Sequence, residues 1–149
     1  MYRFGKTSLK RLSTGSAVLQ KVLHRAMQIA NERKDYTPDW GIAEVLRTQK
    51  QQQDRYAQGR DSDGNVVDQA KVITYCDGVN NKSYHQSGDA VDVFAYVDGK
   101  YNTEPHNLAL IATCLMQAAS EFGIAFEWGG HYRTFYDGCH FNLKRTVAV

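Results

Sequence analysis

Four residues have the types and spacing to hold a metal ion and work through it. His85 and Asp92 share the stretch Ser83-Tyr84-His85-Gln86-Ser87-Gly88-Asp89-Ala90-Val91-Asp92, and Asp137 and His140 share Asp137-Gly138-Cys139-His140-Phe141. Catalytic zinc sites take three ligands from His, Asp or Glu and leave a fourth position to water. His85, Asp92 and His140 make such a set, so Zn2+ is the expected cofactor. The ion lowers the pKa of its water and polarises a carbonyl, and a base must then stand within hydrogen-bond reach of that water. Asp137 is the expected base, because a carboxylate beside a dication stays ionised at neutral pH. Arg47 is the candidate for stabilising a developing oxyanion.

Other groups near these residues have plainer readings. His24 and His106 read as structural or surface histidines. His131 is an alternative to His140 as a ligand, and Glu127, within a strand before Trp128, suits second-sphere hydrogen bonding better than base catalysis. A Cys139–His140 nucleophile pair is disfavoured, since neighbours on a strand point to opposite faces. Asp61-Ser62-Asp63-Gly64-Asn65 resembles the start of a calcium loop, but the closing glutamate is missing. Arg60 reads as structural, and Trp128 with Gly129-Gly130 as the shaper of a turn.

The elements that must position the site follow from periodicity. Val18, Leu19, Val22, Leu23, Ala26, Met27 and Ala30 form an amphipathic stripe, which predicts a helix from about 17 to 32, with N-cap candidates in the preceding 8–16 segment. Trp40 to Leu46 reads as a short strand. A polar helix follows and ends at Gly59, and Val72-Ile73-Thr74-Tyr75 is a further strand candidate. From Ala90 to Val97, Val91, Val93, Ala95 and Val97 share one face, and Asp92, Phe94 and Tyr96 share the other. The first face should meet helices and the second should floor a cleft. Asp98-Gly99 signals a hairpin. A strong helix is expected from about 108 to 121, with Leu108, Ile111, Leu115, Ala118, Ala119 and Phe122 on its buried side, then strands over 124–128 and 139–143. Helices with a small antiparallel sheet and no strict βαβ alternation predict an α+β fold.

Bulk properties set outer bounds. At 149 residues with 42% hydrophobic and 23% charged residues, the chain fits one domain with its own core. A net charge of +2 is too weak to indicate nucleic acid but does not oppose an anionic polymer. The three cysteines, without CxxC spacing, fit a reduced compartment rather than a disulfide scaffold. The first residues show no signal-peptide pattern, and no stretch has the length for a membrane span.

Taken together, the motifs resemble the VanY-like M15 family of zinc peptidases, in particular the branch of phage endolysins and bacterial autolysins that cleave L-alanyl-D-glutamate bonds. Ser83-x-His85-x-x-Gly88-x-Ala90-x-Asp92 is similar to the family's first zinc motif. Trp128-Gly129-Gly130 followed by Asp137-x-x-His140-Phe141 is similar to the second. Arg47-Thr48-x-x-x-Gln52 and Tyr56-Ala57-Gln58-Gly59-Arg60 resemble the upstream segment, whose arginine stabilises the transition state. The resemblance implies a hedgehog/D-Ala-D-Ala-peptidase-like arrangement, one peptidase domain over 1–149 without a separate wall-binding domain, and substrate-binding positions at Ser83, Gln52 and Tyr132. It implies peptidoglycan as substrate, a monomer, and an enzyme held in the host cytoplasm until a holin releases it to the wall. Where many members carry an acidic or small residue and then Trp after Trp-Gly-Gly, this chain has His131-Tyr132. Relatives that trim D-Ala-D-Ala ends usually carry Glu in the place of Asp137, so the aspartate favours the L-Ala-D-Glu branch. A carboxypeptidase or dipeptidase on the same scaffold and a non-catalytic zinc-stabilised wall-binding module are the alternatives.

Overall fold

The computed structural model describes residues 1–144. The alternating run forms strand β2 (Ala90–Val97), at the centre of an antiparallel sheet in the order β1-β2-β5-β4. Its neighbours are β1 (Asp39–Glu44) and β5 (His140–Leu143), and β4 (Phe126–Trp128) closes the far side. The short β3 (Lys100–Asn102) returns on β2 through the Asp98-Gly99 turn. Both turn residues have positive φ, 52° and 72°, the conformation of a two-residue hairpin turn.

One face of this sheet is apolar. Val91, Val93 and Ala95 of β2, Trp40 and Ile42 of β1 and Phe141 of β5 are almost fully buried against α2 (Ala17–Glu32) and α4 (Pro105–Glu121). Each of the larger of these, such as Val91, Ile42 and Phe141, contributes about 1.5–3 kcal/mol by leaving water. Ser16 caps α2 by accepting from the Leu19 N–H at 3.3 Å, and Pro105 opens α4 at a position where its missing N–H is not needed. The α+β arrangement expected from the sequence is the one observed.

Three local expectations need correction. The segment before α2 holds a helix of its own, α1 (Lys6–Leu12). It lies along β1, where Ser8 Oγ accepts from the Ile42 N–H at 3.0 Å and Arg11 donates to the Ile42 carbonyl at 2.8 Å. These contacts cover part of an otherwise open sheet edge. Val72-Ile73-Thr74-Tyr75 is not a strand. Its carbonyls and side chains bond to Arg60, Gln52 and Asn81 instead, and Ile73 and Tyr75 face outward. Phe122 is 37% exposed rather than lining the core, with the Lys21 ammonium 4.2 Å from its ring centroid.

Among the described residues no helix is long and apolar enough to cross a membrane.

Candidate metal centre

The register of the sheet brings the site together. Glu44 pairs with Asp92, and Asp92 pairs with His140. Directly opposed residues in an antiparallel pair share a face, so Glu44, Asp92 and His140 form one row across three strands, on the face opposite the helices. A bulge between Ile42 and Glu44 lets β1 bury Ile42 on one side and still present Glu44 on the other.

His85 reaches this row from a 3-10 turn, Tyr84–Ser87. Ser83 caps the turn through a capping box with Gln86: its hydroxyl accepts from His85 N–H at 3.3 Å, and Gln86 Oε1 accepts from Ser83 N–H at 2.9 Å. Gly88 ends the turn at φ 72°, and a Cβ there would lie 2.9 Å from the Thr14 carbonyl. The turn therefore needs glycine for both conformation and space.

Atoms of His85, Asp92 and His140 lie within 4.8 Å of one another, a group that could hold a metal ion. Their hydrogen bonds fit that use. His85 Nδ1 lies 2.7 Å from the Val45 carbonyl, an acceptor, so Nδ1 carries the proton and Nε2 keeps its lone pair. That Nε2 is buried without a hydrogen-bond partner. It stands 3.3 Å from Asp92 Oδ1 but out of hydrogen-bonding alignment. His140 Nε2 lies 2.9 Å from Asn142 Oδ1. Asn142 Nδ2 donates to Glu127 Oε2 at 3.3 Å and to the Leu143 carbonyl at 3.1 Å, so the amide oxygen is the atom turned to His140. That leaves His140 Nδ1, 3.2 Å from Asp92 Oδ1, as the nitrogen turned into the site. Both imidazoles thus have one nitrogen anchored and the other aimed at Asp92, the arrangement of metal-ligating histidines.

Charge points the same way. Burial alone would raise the Asp92 carboxyl, but the hydrogen bond from the His140 imidazole holds it well below the usual carboxylate range. Burial lowers His140, yet Asp92 overrides that and raises it. A cation bound here would displace the proton that Asp92 keeps on His140.

Asp137 lines the same cleft, of about 430 Å³. Burial pushes its carboxyl upward, partly offset by His140. The Gly129 carbonyl accepts from Asp137 N–H at 3.0 Å, and a Cβ on Gly129 would come within 2.2 Å of the Asp137 carbonyl oxygen. Only glycine permits this closure. Trp128 Nε1 also donates to the Gly138 carbonyl at 2.8 Å, so Trp128-Gly129 clasps the loop that carries Asp137.

Arg47 is buried and lines the cleft, with one terminal nitrogen 3.9 Å from Asp92 Oδ2. It donates to Glu44 through Nε at 2.8 Å and a terminal nitrogen, and to Gln52 Oε1 at 2.6 Å. Glu44 also accepts from Arg55 at 2.9 Å. Gln52 has 0% exposure and donates to the Cys76 carbonyl at 2.8 Å. It stands behind Arg47, so the expectation of direct substrate contact by Gln52 gives way to a role in fixing the guanidinium. Tyr132 lines the cleft and donates to Asn142 Oδ1 at 3.2 Å. Burial, then the Glu127 charge, pushes its phenol up to about 12.

The model of the phage L-alanyl-D-glutamate peptidase family matches residues 1–144. The chain belongs to this family. Among similar proteins, the L-alanyl-D-glutamate peptidase of Escherichia phage T5 is 29% identical over 154 residues, covering 95% of this chain and 98% of that protein. The peptidoglycan L-alanyl-D-glutamate endopeptidase CwlK of Bacillus subtilis is 32% identical over 114 residues, covering 68% of this chain and 59% of CwlK. The crystal structure of the Serratia marcescens L-Ala D-Glu endopeptidase ChiX superposes with a TM-score of 0.71 at 26% identity, covering 97% of this chain and 92% of ChiX.

Within this L-alanyl-D-glutamate peptidase fold, the other histidines stand apart. His131 is exposed with its ring edge-on to Trp128 at 4.8 Å, and His24 and His106 are exposed; none is in the His85–Asp92–His140 group. Cys139 packs toward the apolar core. Asn142, Glu44 and Arg55 escaped the sequence reading. Asn142 lies two positions beyond His140, so strand alternation alone puts it on the same face. Glu44 lies three before Arg47, close enough to pair with it.

Proposed function

We propose that this protein is an L-alanyl-D-glutamate endopeptidase of peptidoglycan stem peptides, using a water activated by zinc held on His85, Asp92 and His140. The observation that carries the reading is the buried, unpartnered His85 Nε2, which converges with Asp92 Oδ1 and His140 Nδ1 in a cleft that also contains Asp137. Two nitrogens and a carboxylate oxygen suit zinc, and three ligands leave room for water. When bound, the ion supplies a Lewis acid and lowers the pKa of that water.

The remaining work falls to the chain's own side chains. Asp137 accepts a proton from the attacking water and delivers it to the D-glutamate nitrogen as the C–N bond breaks. Arg47, oriented by Glu44 and Gln52, faces the negative charge that develops on the scissile carbonyl oxygen. Ser83 fixes the turn that carries His85, and Tyr132 forms a wall of the substrate cleft. In this reading the enzyme acts as a monomer, made in the host cytoplasm and reaching the wall through a holin pore. The names of the relatives support the bond assignment.

Digestion of purified peptidoglycan by metal-loaded and chelator-treated protein, with mass spectrometry of the new ends, tests the proposal. Free D-glutamate amino ends that appear only with metal are the expected result. Release of terminal D-alanine would assign a carboxypeptidase instead. Zinc binding with no new ends would leave a wall-binding module.

A further inference from the structure

A file of aromatic rings leads out of the metal centre. The His140 ring is 6.3 Å from Tyr132, Tyr132 is 5.5 Å from Phe135, and Phe135 is 6.4 Å from Tyr75. Tyr132, Phe135 and Tyr75 all line the cleft, and exposure rises outward to 45% at Phe135 and 59% at Tyr75. Exposed aromatic surface contiguous with a catalytic cleft marks a contact for ligand.

The outermost ring is held in place although it is open to solvent. Gln69 donates to the Tyr75 hydroxyl at 3.2 Å, and Asn81 donates to its carbonyl at 3.2 Å. The Arg60 guanidinium lies 5.8 Å from the Tyr75 ring centroid and 3.8 Å from that of Tyr56. Arg60 is itself tied to the Tyr56 carbonyl at 2.5 Å and the Thr74 carbonyl at 3.1 Å. A ring fixed by its surroundings loses little freedom when a ligand settles on it.

The chemistry of the proposed substrate says what would arrive there. In peptidoglycan the L-alanine nitrogen is acylated by the lactyl ether of a muramyl sugar. One residue plus a lactyl group spans about 7 Å when extended, which carries the sugar past Tyr132 when the scissile carbonyl is at the metal. A pyranose presents apolar C–H faces, which suit stacking on the exposed Phe135 and Tyr75 rings. On the other side of the scissile bond the substrate carries carboxylates, for which the cleft offers the guanidinium groups of Arg47 and Arg55. We propose that Phe135 and Tyr75 form a subsite for the muramyl sugar, so that the enzyme reads glycan and peptide together. This subsite rests on the peptidase reading above.

Three soluble substrates test it: an N-acetylmuramyl tetrapeptide, the same tetrapeptide capped by acetyl in place of the sugar, and an N-acetylmuramyl dipeptide ending at D-glutamate. For the zinc-loaded enzyme, kcat/KM should favour the muramyl over the acetyl tetrapeptide by about ten-fold, the order expected of stacking on one or two rings. The double variant Tyr75→Ala/Phe135→Ala should bring that ratio close to one, and Tyr75→Phe should keep it. An unshifted melting temperature of the double variant verifies its fold. A wild-type ratio near one overturns the subsite, as does an equal loss on both tetrapeptides. If the double variant instead erases the preference for tetrapeptide over dipeptide, the rings serve the stem beyond D-glutamate and the sugar assignment is wrong. Turnover of none of the three by zinc-loaded enzyme overturns the peptidase reading, and the subsite with it.

Discussion

The two faces of strand β2 solve different physical problems. Val91, Val93 and Ala95 are wholly buried against helices and need only shape. One residue away, Asp92 faces Glu44, His85 and His140, where nearly every polar atom has a specific partner and one, His85 Nε2, has none. Dispersion and hydrophobic burial stabilise the first face whatever happens on the second. The site face carries charge that the core could not tolerate, and its order depends on hydrogen bonds to residues such as Asn142 and Gln52. Stability and chemistry are therefore separable in this sheet to a degree set by the alternation of its side chains.

Perturbing each face in turn tests that separation. Asp137→Asn should lower kcat by about 10²–10⁴-fold, the usual contribution of a general base, with zinc content by atomic absorption unchanged. Loss of zinc as well would make Asp137 part of the ligand set. On the other face, Leu115→Ala in α4, at a fully buried position, should cost about 2–5 kcal/mol in denaturant unfolding. The fraction that remains folded should keep its specific activity; a parallel loss of activity would break the comparison. Asn142→Ala should weaken zinc binding by about 10–100-fold in chelator competition, since it frees the anchored nitrogen of His140. An unchanged affinity would show that the Asp92 contact alone orients the ring.

The smallest effect is expected far from the cleft. Arg25 of α2 donates to Glu121 of α4 at 2.6 Å and lowers the Glu121 pKa from its ordinary value, against an opposing effect of burial. A carboxyl lowered in the folded state stabilises above its unfolded pKa and loses that contribution as pH falls through the folded one. The melting temperature of Glu121→Gln should thus trail the wild type slightly at pH 7, with the gap closing below about pH 4. Activity at pH 7 should not move.

Much of this was legible in the sequence because it is periodic. The alternation of β2 placed Asp92 opposite the core, and the three- and four-residue spacing of apolar side chains located α2 and α4. The motif around His85 and the Asp-x-x-His spacing named the group, able to hold a metal ion, that the sheet register and the turn at His85 bring together. What escaped was set by partners distant in sequence. The apolar, β-branched run 72–75 has strand composition but no neighbouring strand, and its one ring, Tyr75, is exposed and lines the cleft. Helix α1 is only seven residues long and has no side-chain cap, so it has little local signature; its place comes from the edge of β1. The role of Gln52 behind Arg47 depends on bonds to Thr74 and Cys76, more than twenty residues away.

The Glu44 carboxylate shared between Arg47 and Arg55 bears on how the enzyme meets a polymer. Two guanidinium groups against that one carboxylate leave a single positive charge, which Arg47 also shares with Asp92 Oδ2 at 3.9 Å. Screening at physiological ionic strength limits its reach to about 8 Å, and the net charge of the whole chain is only +2. Such a charge does not draw the enzyme across the solvent toward an anionic wall. It acts in the last few ångströms, on strands already in contact, favouring those that arrive with a carboxylate turned inward. The encounter is then governed by orientation at the surface rather than by attraction from a distance, and its rate should depend only weakly on added salt.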